Sequence, residues 1–358
     1  MKKYLFLTLT LIIVAISVSA CSGSRLSASG WSGLIADQDT AYLAVGPYIY
    51  AVNLNNGSLK WQYPSEPEKD MSFYAAPVLT EDGQLIVGGY NGVLYSFNPA
   101  NGNLNWTYEG AESRYVGSPL VTPEGIFAPS ADNHVYALNF EGQELWKPFP
   151  TDEPIWAQPS TTEDCGCIYV ASMDHHIYAL DAQTGNLMWK TEDLGGPIVN
   201  APALDDHTLY VSTFANEVLA IDVETQGVLW RSETQDWAWA NPLVDGEQLY
   251  VSDISGGFYA LDIKTGEQLW QLQPGGEIVS APLVIGEKVY FGTSEGSFIV
   301  TDRDGTIQQN NTLSGKLYTG PVAAEEIILV APSEDEVLLI GYDPSGVKKW
   351  SFSTPEDK

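Results

Sequence analysis

Tryptophan recurs along this chain at Trp61, Trp106, Trp146, Trp189, Trp230, Trp270 and Trp350, with gaps of 45, 40, 43, 41, 40 and 80 residues. A period near forty marks a repeat architecture, and the doubled last gap marks one copy that has lost its tryptophan, with Gln309 or Asn310 in its place. The content of each period decides among repeat folds. In His176 to Trp189, an apolar run of strand length is followed by Asp181, Thr184 and Gly185, then by a short strand ending in Trp189. Glycine supplies positive φ to such a turn, and Asp and Thr side chains bond its backbone. The pattern returns at Asp222–Trp230 and Asp262–Trp270. It returns with asparagine at Asn53–Trp61 and Asn98–Trp106, and one residue shorter at Asn139–Trp146 and Asp343–Trp350.

Upstream of each copy after the first stands a short strand led by proline: Pro77, Pro119, Pro159, Pro202, Pro242, Pro282 and Pro321. A β-branched and aromatic strand such as Leu249–Ser252 comes next. Four short strands per period, with no helical periodicity, predict an all-β chain. Closed radially, eight such units form an eight-bladed β-propeller with four antiparallel strands in each blade. The first unit begins with an inner strand and the last ends with an outer one, so every blade is expected to be complete in sequence.

The segment Ala-x-Asp-x-x-Thr-Gly-x-x-x-Trp, complete at Ala179–Trp189 and Ala260–Trp270, resembles the tryptophan-docking repeat of pyrroloquinoline-quinone (PQQ) propellers. The resemblance covers essentially the whole chain after its leader. It implies that the tryptophans dock between neighbouring blades and are structural. The quinoprotein dehydrogenases of that family are longer and resemble one another in adjacent cysteines, a calcium-binding set and a catalytic aspartate. This chain has Cys165-Gly166-Cys167 instead, few bases to meet a tricarboxylate, and no segment that matches the calcium set. The expectation is therefore no enzyme and no cofactor, neither PQQ nor a divalent metal. The shorter BamB-type lipoprotein propellers of outer-membrane protein assembly are the more similar relatives. They imply a non-catalytic, membrane-anchored scaffold that binds a protein or polymer of the cell envelope, as a monomer apart from that partner. The alternatives are a small-ligand or glycan binder and, third, a PQQ-dependent dehydrogenase.

Lys2 and Lys3 precede an apolar run from Tyr4 to Val18, broken only by Thr8, Thr10 and Ser17. That is the form of a secretory signal rather than a membrane span. The run ends in Val18-Ser19-Ala20-Cys21, which resembles a bacterial lipobox. Residues 1–20 are read as the signal, Cys21 as the lipidated (palmitate-bearing) first mature residue, 22–30 as a Gly/Ser-rich tether and 31–358 as the propeller. The chain carries 16 basic and 46 acidic side chains, a formal charge of −30. Such a charge excludes nucleic acid as a natural partner. In an exported protein Cys165 and Cys167 form an even pair, read as a possible disulfide.

Strand order places the blade-to-blade connections and the turns between second and third strands on one face. Aromatic residues gather there near each leading proline: Tyr74, Tyr115, Trp156, Trp237, Trp239 and Tyr318, with Trp31 before the first unit. They are candidate partner- or ligand-binding residues around a funnel mouth. The competing reading is that they fill gaps between blade tops, as Val199 and Val279 do at the same place. Asp132 with His134, and Asp174 with His175 and His176, occupy equivalent turns and form a weaker candidate metal site.

Overall fold

A computed structural model describes residues 31–162 and 165–354. Signal, Cys21 and tether lie outside the described residues. Eight antiparallel sheets follow one another along the chain, each built from consecutive strands. The first comprises Gly33–Asp37, Thr40–Val45, Tyr48–Asn53 and Leu59–Tyr63, and the last runs from Val322–Ala324 to Lys348–Ser353. Each is one blade of an eight-bladed β-propeller, and among the described residues every sheet is built from strands consecutive in sequence. Blade four keeps its inner strand only as the Ser160–Tyr169 bridge. Blade three has an outer strand of two residues, Phe149–Pro150, because proline cannot continue a ladder.

The core is divided among the seams. Eight apolar clusters lie among the described residues, and each joins two neighbouring blades. Second and third strands meet a neighbour on both faces. They therefore read as unbroken apolar runs, such as buried Leu249, Tyr250 and Val251, instead of alternating.

The repeat residues hold these seams. In blade four, Thr184 donates from its N–H (2.8 Å) and its hydroxyl (2.7 Å) to Asp181 Oδ1, and Gly185 closes the turn at φ 68°. The indole of Trp146, one blade earlier, lies on that glycine and donates to the Ala182 carbonyl at 3.1 Å. Equivalent donations run from Trp61 to Pro99, Trp106 to Phe140, Trp230 to Ile263 and Trp270 to Arg303. Trp350 donates to Leu54 at 2.6 Å, which closes the ring between blades eight and one. Trp189 packs in the seam of blades four and five, where Gln226 stands at the glycine's place with φ 61°. Opposite Trp61, Trp189, Trp230 and Trp270 the third strand carries Ala51, Ala179, Ala220 and Ala260, and opposite Trp106 and Trp350 it carries Ser96 and Gly341. Gln309 pairs with Val300 at the corresponding place, and its amide donates to the Ser345 carbonyl as an indole would.

Two predictions arise here. A Cβ on Gly185 would stand 2.5 Å from the Trp146 ring, whereas one on Gly246, at φ 62°, meets nothing within 4 Å. Gly246→Ala is expected to cost about 1 kcal/mol of backbone strain. Gly185→Ala is expected to cost about 3 kcal/mol, since overpacking adds to the same strain. Urea unfolding of both variants measures the difference. The second concerns pH. The threonine hydroxyl and N–H hold the carboxyls of Asp181 and Asp262 below their ordinary value of 3.8, and the N–H and hydroxyl of Thr225 do so for Asp222. A lowered folded-state value stabilises above the ordinary one and is lost as pH falls through the folded one. The melting temperature should therefore drop below about pH 4, and less steeply in the triple Asp→Asn variant, as thermal melts between about pH 5 and 2 will show.

Candidate functional site

A residue three places before each leading proline ends a blade-to-blade connection at the top of an inner strand. In blades two to eight these residues are Tyr74, Val116, Trp156, Val199, Trp239, Val279 and Tyr318. From blade two to blade eight, aromatic side chains thus alternate with valine. In blade one the register of Ile35 opposite Tyr42 and of Leu283 opposite Tyr290 places Trp31 at the same position. All eight line one cavity of about 360 Å³ at the mouth of the central channel. The five aromatic residues among them are brought together as the sequence pattern suggests, and they border open space as well as filling blade tops.

The ring is uneven. Trp31 meets Trp239 edge-on at 5.0 Å and Tyr318 at 6.2 Å. Tyr74 meets Tyr90 at 4.7 Å, and the Arg114 guanidinium lies over Tyr90 at 5.6 Å. Trp237 is outside the cavity, 44% exposed, and stacks on Phe214 at 4.8 Å. Tyr115 is not at the funnel. It neighbours Val116, and successive side chains of extended chain point opposite ways, so it turns into the seam of blades two and three and is fully buried. Burial pushes its hydroxyl well above the ordinary tyrosine range. Sequence reading missed Phe214 and Tyr90. Both sit in turns between second and third strands, at a position where blades three, four, six and seven carry Ala131, Met173, Ile254 and Ser294, and an aromatic ring there was the available signal.

The cavity lining includes no Asp, Glu, His, Lys, Arg or Cys among the described residues. Its amides are engaged with the backbone of neighbouring blades: Gln158 Nε2 donates to the Pro119 carbonyl and Asn241 Oδ1 accepts from the Ala201 N–H, each at 2.9 Å. The funnel can therefore offer ring faces and aliphatic contact, but among the described residues no carboxylate or imidazole and no cation for a tricarboxylate cofactor.

The residues suggested for a metal are not gathered. His134 Nδ1 lies 2.9 Å from the Asp132 carbonyl, His176 Nδ1 lies 2.9 Å from the Thr191 carbonyl, and His175 pairs with Asp193. Asp132 accepts the Tyr136 hydroxyl and the Glu112 N–H, and Asp174 accepts the Tyr178 hydroxyl and the Asp152 N–H. These carboxylates pin the connection from the preceding blade. Burial, then the bond to aspartate, raises both tyrosine hydroxyls. No group of three or more His, Cys, Asp or Glu suited to a metal occurs among the described residues. Cys165 and Cys167 are joined by a disulfide, Cα to Cα 5.0 Å, on the face opposite the funnel.

Comparison with known proteins adds a family. The model of the family described as outer membrane protein assembly factor BamB matches residues 45–191, 131–236 and 216–310. The chain is 27% identical over 161 residues to BamB of Moranella endobia (strain PCIT), covering 40% of this chain and 39% of that protein. It is 29% identical over 124 residues to the beta-alanine-activating enzyme of Drosophila melanogaster, covering 33% of this chain and 12% of that protein. The matched segments thus span well under half of these relatives. The crystal structure of BamB from Moraxella catarrhalis superposes with a TM-score of 0.70 at 20% identity, covering 86% of this chain and 95% of that one, and so shares the fold.

Proposed function

The chain belongs to the family of outer membrane protein assembly factor BamB, and on that premise we propose that it is a non-catalytic scaffold of the cell envelope whose funnel face docks a protein partner. The observation that carries this reading is the ring of eight equivalent positions, five of them aromatic, around one cavity whose described lining holds no Asp, Glu, His, Lys or Arg. Rigid aromatic side chains supply large contact area at low entropic cost, which suits recognition of another chain. The same lining argues against a dehydrogenase, since neither a catalytic carboxylate nor a cation for PQQ stands in the funnel. We place the protein outside the cytoplasm, held by a lipid on Cys21, from the basic start, apolar run and lipobox of the sequence.

The test is recovery of tagged, full-length protein from its own membranes, with reciprocal purification from any partner found. One partner at near-stoichiometric yield, and lipid attached to Cys21 by mass spectrometry, are the expected results. Recovery of abundant membrane proteins alone, from anchored and folded protein, would overturn the scaffold. A cysteine without lipid would overturn the anchor separately.

A further inference from the structure

The aromatic ring does not stop at the funnel mouth. From Trp31 it passes to Trp239 at 5.0 Å, from Trp239 to Phe214 at 5.1 Å, and from Phe214 to Trp237 at 4.8 Å with the planes 10° apart. These rings form a radial track from the mouth toward the rim over blades five and six. Both ends are open to solvent, Trp31 at 36% and Trp237 at 44% exposure. The track is also held firmly. The connection before Trp237 is fixed by the buried Asp253 carboxylate, which accepts the N–H groups of Gln235 and Asp236, and Trp237 donates its own N–H to Asp236 Oδ1.

The charge on this face around the track is mainly acidic, and Lys316, over the Tyr318 ring at 5.9 Å, is paired with Glu334 at 2.9 Å. Glu192, Glu233, Asp236, Glu277 and Glu295 stand on the same-face connections and turns of blades four to seven. Arg231, the neighbouring base, is engaged with Glu217 at 2.6 Å and with the Leu194 carbonyl at 3.1 Å. A line of aromatic faces bordered by uncompensated carboxylates complements a ligand with apolar groups in the middle and cations at the sides. Neutral glycans lack the cations, and anionic lipid or nucleic acid is repelled.

We propose that this track binds an extended polypeptide segment in which lysine or arginine flanks aliphatic or aromatic residues. In extended chain, alternate side chains lie on one face about 6.6 Å apart, so the apolar residues of such a segment seat on successive rings while its cations reach the bordering carboxylates. This rests on the funnel face being the protein-binding face.

The experiment is fluorescence anisotropy of the full chain with three labelled nine-residue peptides: lysine alternating with leucine, glutamate alternating with leucine, and lysine alternating with serine. The lysine–leucine peptide should bind saturably, and raising salt from about 50 to about 500 mM should weaken it several-fold by screening. Phe214→Ala and Trp237→Ala should each weaken it about tenfold, a loss typical of one aromatic anchor. Gln183→Ala, on the opposite face, should leave it unchanged. Unaltered melting curves will show that both track variants fold. Equal binding of the glutamate peptide, equal binding of the serine peptide, no binding at all, or full binding by both track variants would each overturn the proposal. The scaffold fails separately: it falls if the parent recovers no partner, and it stands without the track if a partner stays bound to the two variants.

Discussion

Trp350→Ala is expected to lower the free energy of unfolding by about 4 kcal/mol, the cost of removing a buried tryptophan from a tight site. At seven seams the polypeptide itself runs from one blade to the next, but at the seam of blades eight and one no connection crosses among the described residues, and packing with bonds such as Thr319 to the Ser32 carbonyl holds it. The Trp350 indole is 7% exposed, lies against Gly57, and donates to Leu54, a residue 296 positions earlier. It belongs to the cluster that joins Leu34, Leu43 and Val52 of blade one to Leu329, Leu339 and Phe352 of blade eight. Trp350→Phe keeps most of the ring and loses the hydrogen bond, so about 1–2 kcal/mol is expected for it. Urea unfolding followed by circular dichroism measures both. A loss below about 1 kcal/mol for the alanine variant would mean that the ring closes by other contacts.

Asp253→Ala should be nearly as costly, about 3–4 kcal/mol, because it strands several buried donors at once. Asp253 is fully buried. Its Oδ1 accepts from the N–H and hydroxyl of Ser255 and from the Gly257 N–H. Its Oδ2 accepts from the Tyr259 hydroxyl at 2.6 Å and from the N–H groups of Gln235 and Asp236. Burial, then this carboxylate, raises the Tyr259 hydroxyl above its ordinary range. Asp253→Asn keeps the shape but turns an NH₂ toward donors, and about 2 kcal/mol is expected. Both variants should also blur the near-ultraviolet signal of Trp237 and Trp239, whose connection the aspartate holds. Thermal melts with near-ultraviolet circular dichroism will measure the two effects together. A melt unchanged in Asp253→Ala would show that the connection holds itself.

The architecture was legible because its signals are local and repeated. A turn such as Asp181 to Gly185 and a tryptophan eight residues after that aspartate lie within one stretch of chain, and eight copies average out the loss of Trp to Gln309. The choice between Gln309 and Asn310 needed strand register, since only pairing opposite Val300 decides it. The mouth of the funnel was legible for the same reason, at a fixed distance from each proline. Tyr115 escaped because one residue of register separates mouth from seam. The aspartates Asp132 and Asp174 looked free for a metal because their donors, Glu112 and Asp152, come from connections about twenty residues upstream in the preceding blade. Pairings between repeats leave no periodic trace within one. Phe214 could be placed on the track only once blades five and six stood side by side.

The central claim is that the partner docks on the funnel face, and photo-crosslinking tests it most directly. A benzophenone-bearing residue is placed at position 237, at position 318 or, on the opposite face, at position 183 of the full-length protein in its own membranes. The account predicts one partner joined to the chain from positions 237 and 318 and none from 183. A partner captured from 183 while both funnel positions remain bare would contradict it.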